Sequence, residues 1–322
     1  MNDLRSKLIK NSTSKYTDIL LESKLFNEKD VISTRIPIIN VGLSGYATGG
    51  LIAGVTMFAG PSKNYKTGFA LLMAKAFQEE HPDGMILFYD SEFGAPKPYF
   101  EAFKIDMSKV VHTPITDIEE LKHDLMSQLQ NIDRGEKVLV IIDSIGNLAS
   151  RKEVEDAIEG KVVADMTRAK AFKSLFRMIT PHLALKNIPL IAINHTYKEI
   201  GMFPKDVVGG GTGAYYGADN IWIIGRQQEK KGDDVIGFNF VINVEKSRYV
   251  REKSRFIVTV LYSGGINRWS GLFDFALEHG YIAAGKKGWY HVVDRSTGEV
   301  IEPGSRRSDL ETNDALWTAL LA

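Results

Sequence analysis

The sequence predicts an α/β fold in which a mostly parallel sheet is flanked by helices. Short β-branched apolar runs alternate with longer helical patterns, and several of these runs are apolar throughout. A strand that is apolar at every position is buried on both faces, as a parallel strand between two helical layers is. The runs lie at residues 52–59, 85–89, 138–142, 189–193 and 221–224.

Composition and charge are those of an ordinary globular protein. The chain has 322 residues, and its length suggests one large domain with attachments, or two domains. Its 40 basic residues balance 40 acidic ones, so contact with nucleic acid would require a local basic surface.

Cysteine is absent, which excludes a disulfide framework and a thiolate metal site and fits a reducing compartment. No window approaches eighteen uninterrupted apolar residues, so we predict no transmembrane helix and no membrane partner. The first fifteen residues lack the apolar stretch of a secretory signal.

Residues 1–30 are polar and basic and show no strand pattern. They carry a weak helical stripe, made of Leu4, Leu8, Ile19, Leu20, Leu25 and Phe26. We interpret this segment as a helical arm, and a frayed terminus is the alternative.

One amphipathic helix is predicted between the second and third apolar runs. Its apolar residues step by 3, 4, 4 and 3, and they are Ile118, Leu121, Leu125, Leu129 and Ile132. Thr116 followed by Glu119 has the spelling of a capping box, and Gly135 is predicted to end the helix.

A second long helix is predicted to end near Pro181, and residues 238–244 and 256–261 are predicted to extend the sheet as antiparallel strands. After Gly264 the pattern changes to that of a small α+β domain. It consists of a helix at 271–279, a strand-like stretch GWYHVV, a turn at 295–298 and a helix at 314–321.

A phosphate loop is predicted where the first apolar run meets a helix. Its residues are Gly60, Pro61, Ser62, Lys63, Asn64, Tyr65, Lys66 and Thr67. They match the pattern G-x-x-x-x-G-K-[ST], except that Tyr65 stands at the second glycine. In this pattern loop amides cradle phosphates, the lysine contacts the β and γ oxygens, and the threonine holds Mg²⁺. The alternative is a chance match at a strand–helix junction.

Polar residues follow the other apolar runs at the edge where ligands bind in parallel sheets. Asp90 and Glu92 follow the second run, Asp143 follows the third, and Asn194 and His195 follow the fourth. Asp143 is predicted to orient Mg²⁺ through water, and Glu92 is the candidate for orienting the attacking water.

The segments FYDSE, VIIDSIGNLAS and IAINH, in that order after a phosphate loop, resemble the RecA family of strand-exchange recombinases. The spellings GPSKNYKT, INHTY and KLFNEKDV are similar to the phage branch of that family, the UvsX-type recombinases. The resemblance continues through GINRWSGLFDFALEHG and GWY. It implies an N-terminal polymerisation arm at 1–30, a RecA-like ATPase core at 31–265 and a small C-terminal domain at 266–322.

The resemblance also implies roles for single residues. Glu92 would be the catalytic carboxylate, acting with Lys66 and with His195 as sensor of the γ-phosphate, and Tyr99 would lie near the adenine. Lys246 and Arg248 would reach the γ-phosphate of the neighbouring subunit in a filament. Spacing alone favours a solvated strand end for those two cations.

Two DNA-binding loops are implied, at residues 151–164 and 196–213. The second is long and irregular, which is typical of functional or disordered loops. Its predicted DNA contacts are Lys198, Phe203, Gly209, Gly210, Gly211 and Thr212. Amides and cations bind phosphates, and aromatic rings stack on bases. A mobile solvent loop is the alternative, and the acidic residues of the first loop weaken any claim that its side chains bind phosphate.

The helix after the first loop carries Lys170, Lys173 and Arg177 at a spacing of 0, 3 and 7, which makes one basic stripe. The neighbouring stripe is apolar, consisting of Phe172, Phe176 and Ile179. We predict that the basic stripe contacts a DNA backbone, although such faces are often merely solvated.

The resemblance therefore implies a DNA-dependent ATPase in the host cytoplasm. It would bind ATP and Mg²⁺, form a helical filament on single-stranded DNA and exchange strands with a homologous duplex. Mediator and single-stranded-DNA-binding proteins are further candidate partners. Two alternatives remain at this point: a nucleotide-gated filament protein with little hydrolysis, motivated by Tyr65, and a ring helicase on the same core.

Overall fold

A computed structural model describes residues 2–27, 29–161, 167–199, 201 and 205–321. Its strands are β1 (Val31–Ile32), β2 (Leu51–Ile52), β3 (Gly54–Ala59), β4 (Met85–Asp90), β5 (Val110–Pro114), β6 (Val138–Asp143), β7 (Pro189–Asn194), β8 (Thr196–Lys198), β9 (Asp206–Val208), β10 (Asn220–Lys231), β11 (Asp234–Lys246), β12 (Arg255–Leu261), β13 (Gly265–Ile266), β14 (Ile282–Ala284), β15 (Trp289–Val293) and β16 (Val300–Arg306). Its α-helices are α1 (Asn2–Lys10), α2 (Lys24–Asn27), α3 (Pro37–Ser44), α4 (Lys66–Glu80), α5 (Lys97–Ala102), α6 (Ile118–Asn131), α7 (Arg151–Ile158), α8 (Thr167–Lys186), α9 (Gly211–Gly217), α10 (Leu272–Glu278), α11 (Arg307–Glu311) and α12 (Asp314–Leu321).

The central sheet has nine strands among the described residues, in the order β13-β12-β11-β10-β3-β7-β6-β4-β5. The strands from β10 to β5 run parallel, and β11, β12 and β13 continue the sheet in antiparallel fashion. The predicted mostly parallel sheet with antiparallel members is therefore confirmed. The edge strand β5 was not predicted, because its residues are half-buried or exposed and it lacks a continuous apolar run.

The apolar strands divide their side chains between two buried clusters. In β6, Ile141 lies in the cluster with α4, and Ile142 lies in the cluster with α6 and α8. Alternation along a strand sends neighbouring side chains to opposite faces, so a run that is apolar throughout feeds both helical layers.

Helix α6 begins one residue later than the sequence indicated. Asp117, and not Thr116, is the N-cap, and its carboxylate accepts the Glu120 N–H at 2.7 Å. The Thr116 N–H instead donates to the Glu120 carboxylate at 2.9 Å. The predicted Thr116–Glu119 capping box is therefore wrong, because the aspartate next to Thr116 takes the capping position. The helix ends at Asn131, before Gly135.

Helix α8 continues through Pro181 to Lys186, so the predicted end near the proline is also wrong. A proline inside a helix removes one backbone hydrogen bond. Leu183, beyond the proline, is completely buried, and this packing offsets the lost bond.

The segment 196–213 is more regular than predicted. Strands β8 and β9 pair as a hairpin, and α9 begins at Gly211. The first loop likewise contains a helix, α7, whose N-cap Ser150 forms a capping box with Glu153.

The two ends of the chain differ in how they pack. In α1, Leu4 and Leu8 are about two-thirds exposed, at 66% and 65%. At the other end β14, β15 and β16 form a separate small sheet, and Trp317 of α12 is buried in the same cluster as α4. No helix in the described part of the chain is both long and apolar enough to span a bilayer.

Candidate nucleotide and DNA sites

The phosphate loop joins β3 to α4 and is fastened to the neighbouring strand β10. The Asn64 side-chain amide donates to the Ile224 carbonyl at 2.6 Å, and the Arg226 guanidinium donates to the Lys63 carbonyl at 3.1 Å. Tyr65 adopts a left-handed conformation with φ of 61° and ψ of 21°. Glycine adopts that conformation most readily, so the backbone follows the phosphate-loop path although the residue differs.

Lys66 and Thr67 open α4 beneath this loop. The Lys66 ammonium donates to the carbonyls of Gly60 at 3.0 Å and Pro61 at 2.8 Å. Burial lowers the pKa of Lys66, and the charges of Glu92 and Asp143 oppose that shift. These bonds hold the cation inside the loop with oxygen partners that a phosphate can replace.

Asp143 at the end of β6 accepts a 2.7 Å hydrogen bond from the Thr67 hydroxyl through Oδ2. Its other oxygen, Oδ1, is buried without a hydrogen bond from any described residue. Burial raises the pKa of Asp143 to about 6, against the effect of the Thr67 bond. An ionised carboxylate with one free buried oxygen is suited to a cation or to its coordinating water.

The described residues contain no group of three acidic or histidine side chains that could hold a metal alone. Mg²⁺ in nucleotide sites usually binds one or two protein ligands together with substrate phosphates. The Thr67 hydroxyl and the Asp143 carboxylate are the two oxygen-bearing side chains that meet at this edge of the sheet.

Glu92 lies two residues beyond β4, and a single oxygen, Oε1, accepts three hydrogen bonds. The donors are Ser144 at 2.6 Å, His195 Nε2 at 2.8 Å and Asn147 at 3.0 Å. The bond from His195 is the main cause that holds the pKa of Glu92 at about 2, with Ser144 and the Lys66 charge acting in the same direction against burial. Neither Ser144 nor Asn147 was predicted from the sequence, although both lie in the short segment directly after Asp143.

Asp90 precedes Glu92 in the chain and Tyr99 follows it. Asp90 accepts the N–H groups of Glu92 at 3.2 Å and Phe93 at 2.7 Å, so it shapes the turn that carries Glu92. Tyr99 on α5 packs edge-on against Phe103 with ring centroids 5.5 Å apart, and burial raises its pKa.

The end of β7 is hydrogen-bonded to Gly209, the first residue of the glycine segment (residues 209–213). The Gly209 N–H donates to the His195 carbonyl at 2.9 Å, and the Asn194 amide donates to the Gly209 carbonyl at 2.8 Å. Two hydrogen bonds, one to His195 and one from Asn194, therefore hold Gly209 against the end of β7.

The glycine segment continues into α9, which packs closely on α8. A Cβ at Gly213 would lie 2.6 Å from the Lys173 Cα, and one at Gly217 would lie 2.5 Å from the Phe176 Cβ. Only glycine permits this approach. The sequence signal for this close packing is the pair of glycines four residues apart in G-A-Y-Y-G.

The predicted basic stripe of α8 is exposed at Lys170, Lys173 and Arg177, whereas its apolar stripe is buried. Gly210 and Gly211 lie against the first turns of the same helix, near Phe172 and Ala169. The stripe and the glycine segment are therefore adjacent.

The remaining predicted DNA contacts are Lys198, Phe203 and Thr212. Lys198 on the β8–β9 hairpin forms an ion pair with Asp206 at 2.9 Å. Phe203 and the Thr212 side chain lie outside the described residues.

Lys246 and Arg248 lie far from the phosphate loop of their own chain. The Lys246 ammonium donates to carbonyls at the C-terminal end of α9, those of Ala218 at 2.7 Å and Tyr215 at 2.9 Å. Arg248 pairs with Asp219, which accepts the Val55 N–H at 2.9 Å. Val55 is at the amino end of β3, whereas the phosphate loop follows its carboxyl end.

Two family models match consecutive parts of the chain. The one described as RecA N-terminal domain matches residues 8–267. The one described as the C-terminal domain of the bacteriophage T4 recombination and repair protein matches residues 269–322.

Several individual proteins are also similar to most of this chain. The recombination and repair protein of Enterobacteria phage T4 is 52% identical over 315 residues, which cover 97% of this chain and 81% of that protein. Protein RecA of Streptomyces venezuelae is 26% identical over 266 residues, covering 81% of this chain and 67% of the relative. Protein RecA of Paenarthrobacter aurescens is 28% identical over 285 residues, covering 86% and 78% respectively.

A parallel sheet that ends in a phosphate loop, with acidic groups at the adjoining strand ends, defines the class of nucleotide-binding α/β ATPases. Within that class, the chain belongs to the RecA family and to its phage branch. It is a DNA-dependent ATPase that catalyses homologous pairing and strand exchange. Membership therefore favours strand exchange over the ring helicase and over a filament protein with little hydrolysis.

Proposed function

We propose that residues 60–67 bind the phosphates of ATP, that Thr67 and Asp143 hold Mg²⁺, and that Tyr99 lies beside the adenine. When bound, Mg²⁺ neutralises phosphate charge. The free buried Oδ1 of Asp143, next to the Thr67 hydroxyl, is the observation that carries this assignment. Lys66 would exchange the Gly60 and Pro61 carbonyls for phosphate oxygens.

Glu92 would orient the water that attacks the γ-phosphate. Its three hydrogen bonds fix the carboxylate, and its low pKa keeps it ionised throughout the neutral range. An ionised and fixed acceptor positions a water molecule well, although such a weak base contributes little driving force for proton removal.

DNA would bind along the glycine segment and the basic stripe of α8. Amides at Gly209, Gly210, Gly211 and Thr212 and the cations Lys170, Lys173 and Arg177 offer phosphate contacts, with Lys198 and Phe203 contributing from the preceding hairpin. The two hydrogen bonds that join Asn194 and His195 to Gly209 support coupling of nucleotide state to DNA contact.

Lys246 and Arg248 would complete the ATP site of a neighbouring subunit in a helical filament on single-stranded DNA. Their distance from the phosphate loop of their own chain supports action in trans. We further propose division into an arm at 1–30, a core at 31–265 and a C-terminal domain at 266–322. The setting would be the host cytoplasm, with mediator and single-stranded-DNA-binding proteins as additional partners.

ATP hydrolysis measured with and without single-stranded DNA tests the assignment of the site. We expect Lys66→Ala to abolish nucleotide binding. Glu92→Gln should bind ATP normally while its DNA-stimulated kcat falls by about 10²- to 10⁴-fold, the range for a positioned acid–base group. A Glu92→Gln protein with native turnover would show that another group orients the water.

A further inference from the structure

Tyr65 carries a side chain at a loop position where the pattern has glycine, and its ring contacts three aromatic residues. The ring stacks on Phe240 of β11 with centroids 5.1 Å apart and planes at 22°. It meets Phe69 of α4 edge-on at 5.5 Å, and it lies 6.2 Å from Phe103 with the ring planes tilted at 44°. These contacts offset the cost of a left-handed conformation at a residue other than glycine.

A second glycine makes room for this ring. A Cβ built at Gly68 would lie 2.6 Å from Cε1 and 2.7 Å from Cζ of Tyr65. A Cβ does not approach a non-bonded carbon atom this closely, so a side chain at Gly68 would displace the ring. Position 65, where the pattern has glycine, carries a tyrosine, and position 68 must then be glycine to leave room for the tyrosine ring.

The same ring joins two parts of the nucleotide site. Phe103, which contacts Tyr65, also packs edge-on against Tyr99 at 5.5 Å. Phe103 is the C-cap of α5, and its N–H bonds to the Tyr99 carbonyl. Contacting aromatic rings therefore connect the phosphate loop, through Phe103, to the helix that carries Tyr99.

We propose that Tyr65 is a positioning residue that fixes the phosphate loop relative to α5, so that the phosphate and adenine contacts of ATP are held in register. The proposal rests on the nucleotide site assigned above. In this chain Tyr65, whose ring fits against Gly68, takes the place of the loop glycine in fixing the backbone conformation. A free loop loses conformational freedom when ATP binds, and a loop already held by its ring loses less.

The first test is Tyr65→Gly, which restores the usual spelling. We expect the Kd of a fluorescent ATP analogue and the KM for ATP to rise about tenfold. We expect kcat to change by less than about twofold, because Glu92, His195 and Lys66 keep their contacts. Equal Kd values for native and Tyr65→Gly proteins would show that the ring only fills space, and would overturn the proposal.

The second test is a double-mutant cycle with Gly68→Ala. In the native background the new methyl group meets the ring, so we expect the Kd to rise about tenfold and the Tm to fall. In the Tyr65→Gly background the same change meets no ring and adds a better helix-forming residue, so the Tm should rise and the Kd should stay unchanged. Additive effects in the two backgrounds would contradict the pairing of Tyr65 with Gly68.

Two control variants distinguish failure of the Tyr65 proposal from failure of the nucleotide site on which it rests. Phe77→Leu removes a buried ring near the far end of α4 and should lower the Tm without raising the Kd. Lys66→Ala tests the site itself. If Lys66→Ala binds the analogue as tightly as the native protein, the proposed phosphate site fails, whereas failure of the cycle alone removes only the role of Tyr65.

Discussion

At the scale of single residues, Glu92 combines a fixed position with a strongly lowered pKa. Its oxygen Oε1 accepts bonds from Ser144, His195 and Asn147, which come from the segments after β6 and β7. The sequence indicated Glu92 and His195 from their places after apolar strands. It could not indicate that both meet at one oxygen, because that depends on the order of β4, β6 and β7 in the sheet.

The pH dependence of stability follows from the same carboxylate. The pKa of Glu92 is lowered from 4.5 to about 2, so its stabilising effect is complete above pH 4.5 and is lost as pH falls through 2. The side chain is 32% exposed, so screening by water reduces the contribution to about 2 kcal/mol.

We expect the free energies of unfolding of native and Glu92→Gln proteins to differ by that amount at pH 6 and to converge toward pH 2. His195→Ala removes the main cause of the shift, so the pH-dependent loss of stability should be smaller and should be complete at a higher pH. Denaturant titrations between pH 2.5 and 6 measure both effects. A difference that is independent of pH would show that Glu92 is not perturbed.

At the scale of elements, the α8–α9 pair brings the second DNA loop to a basic helix. Gly213 and Gly217 allow α9 to lie directly on Lys173 and Phe176. The periodicity of α8 predicted which of its faces would be buried, and that prediction is confirmed by Phe172, Phe176 and Ile179. The turn of the chain that lays α9 on this helix was not predicted, although the two glycines of G-A-Y-Y-G indicate a close approach.

Replacing Lys170, Lys173 and Arg177 together by alanine should weaken binding to single-stranded DNA and flatten its dependence on salt. Each lost phosphate contact reduces the slope of log K against log salt by about 0.7, so three contacts reduce it by about 2. A control of equal charge, Lys75, Lys104 and Lys109 to alanine, should leave the slope unchanged. Equal slopes for native and stripe-variant proteins would remove α8 from the DNA site.

At the scale of the whole molecule, Lys246 and Arg248 lie near the amino end of β3, and the phosphate loop follows its carboxyl end. A head-to-tail filament joins such opposite surfaces, so that each nucleotide can be contacted from two subunits. In the free chain Lys246 instead binds carbonyls at the end of α9. Spacing alone favoured a solvated strand end, and it gave no sign of this helix contact.

Mixing two inactive proteins tests the action in trans. Lys66→Ala lacks its own phosphate contact, and the double variant Lys246→Ala/Arg248→Ala lacks the contact given to a neighbour. Random 1:1 filaments contain about a quarter of interfaces in which both sets are intact, so we expect up to about a quarter of native DNA-stimulated ATP hydrolysis. No recovery in filaments that demonstrably contain both proteins would indicate that the cations act within their own chain.

The sequence by itself determined the class of fold, the buried strands, the phosphate loop and the acids beside it, because strand burial and strand–helix junctions are local properties of the chain. It misplaced the start of α6 and the end of α8, where a neighbouring aspartate or buried leucine outweighed the expected signal. Only the tertiary structure decided that Ser144 and Asn147 donate to Glu92, that Lys246 donates to carbonyls at the end of α9 and that Phe240 stacks on Tyr65. These contacts join residues brought together by strand order, helix crossing or ring packing, which no spacing along the chain encodes.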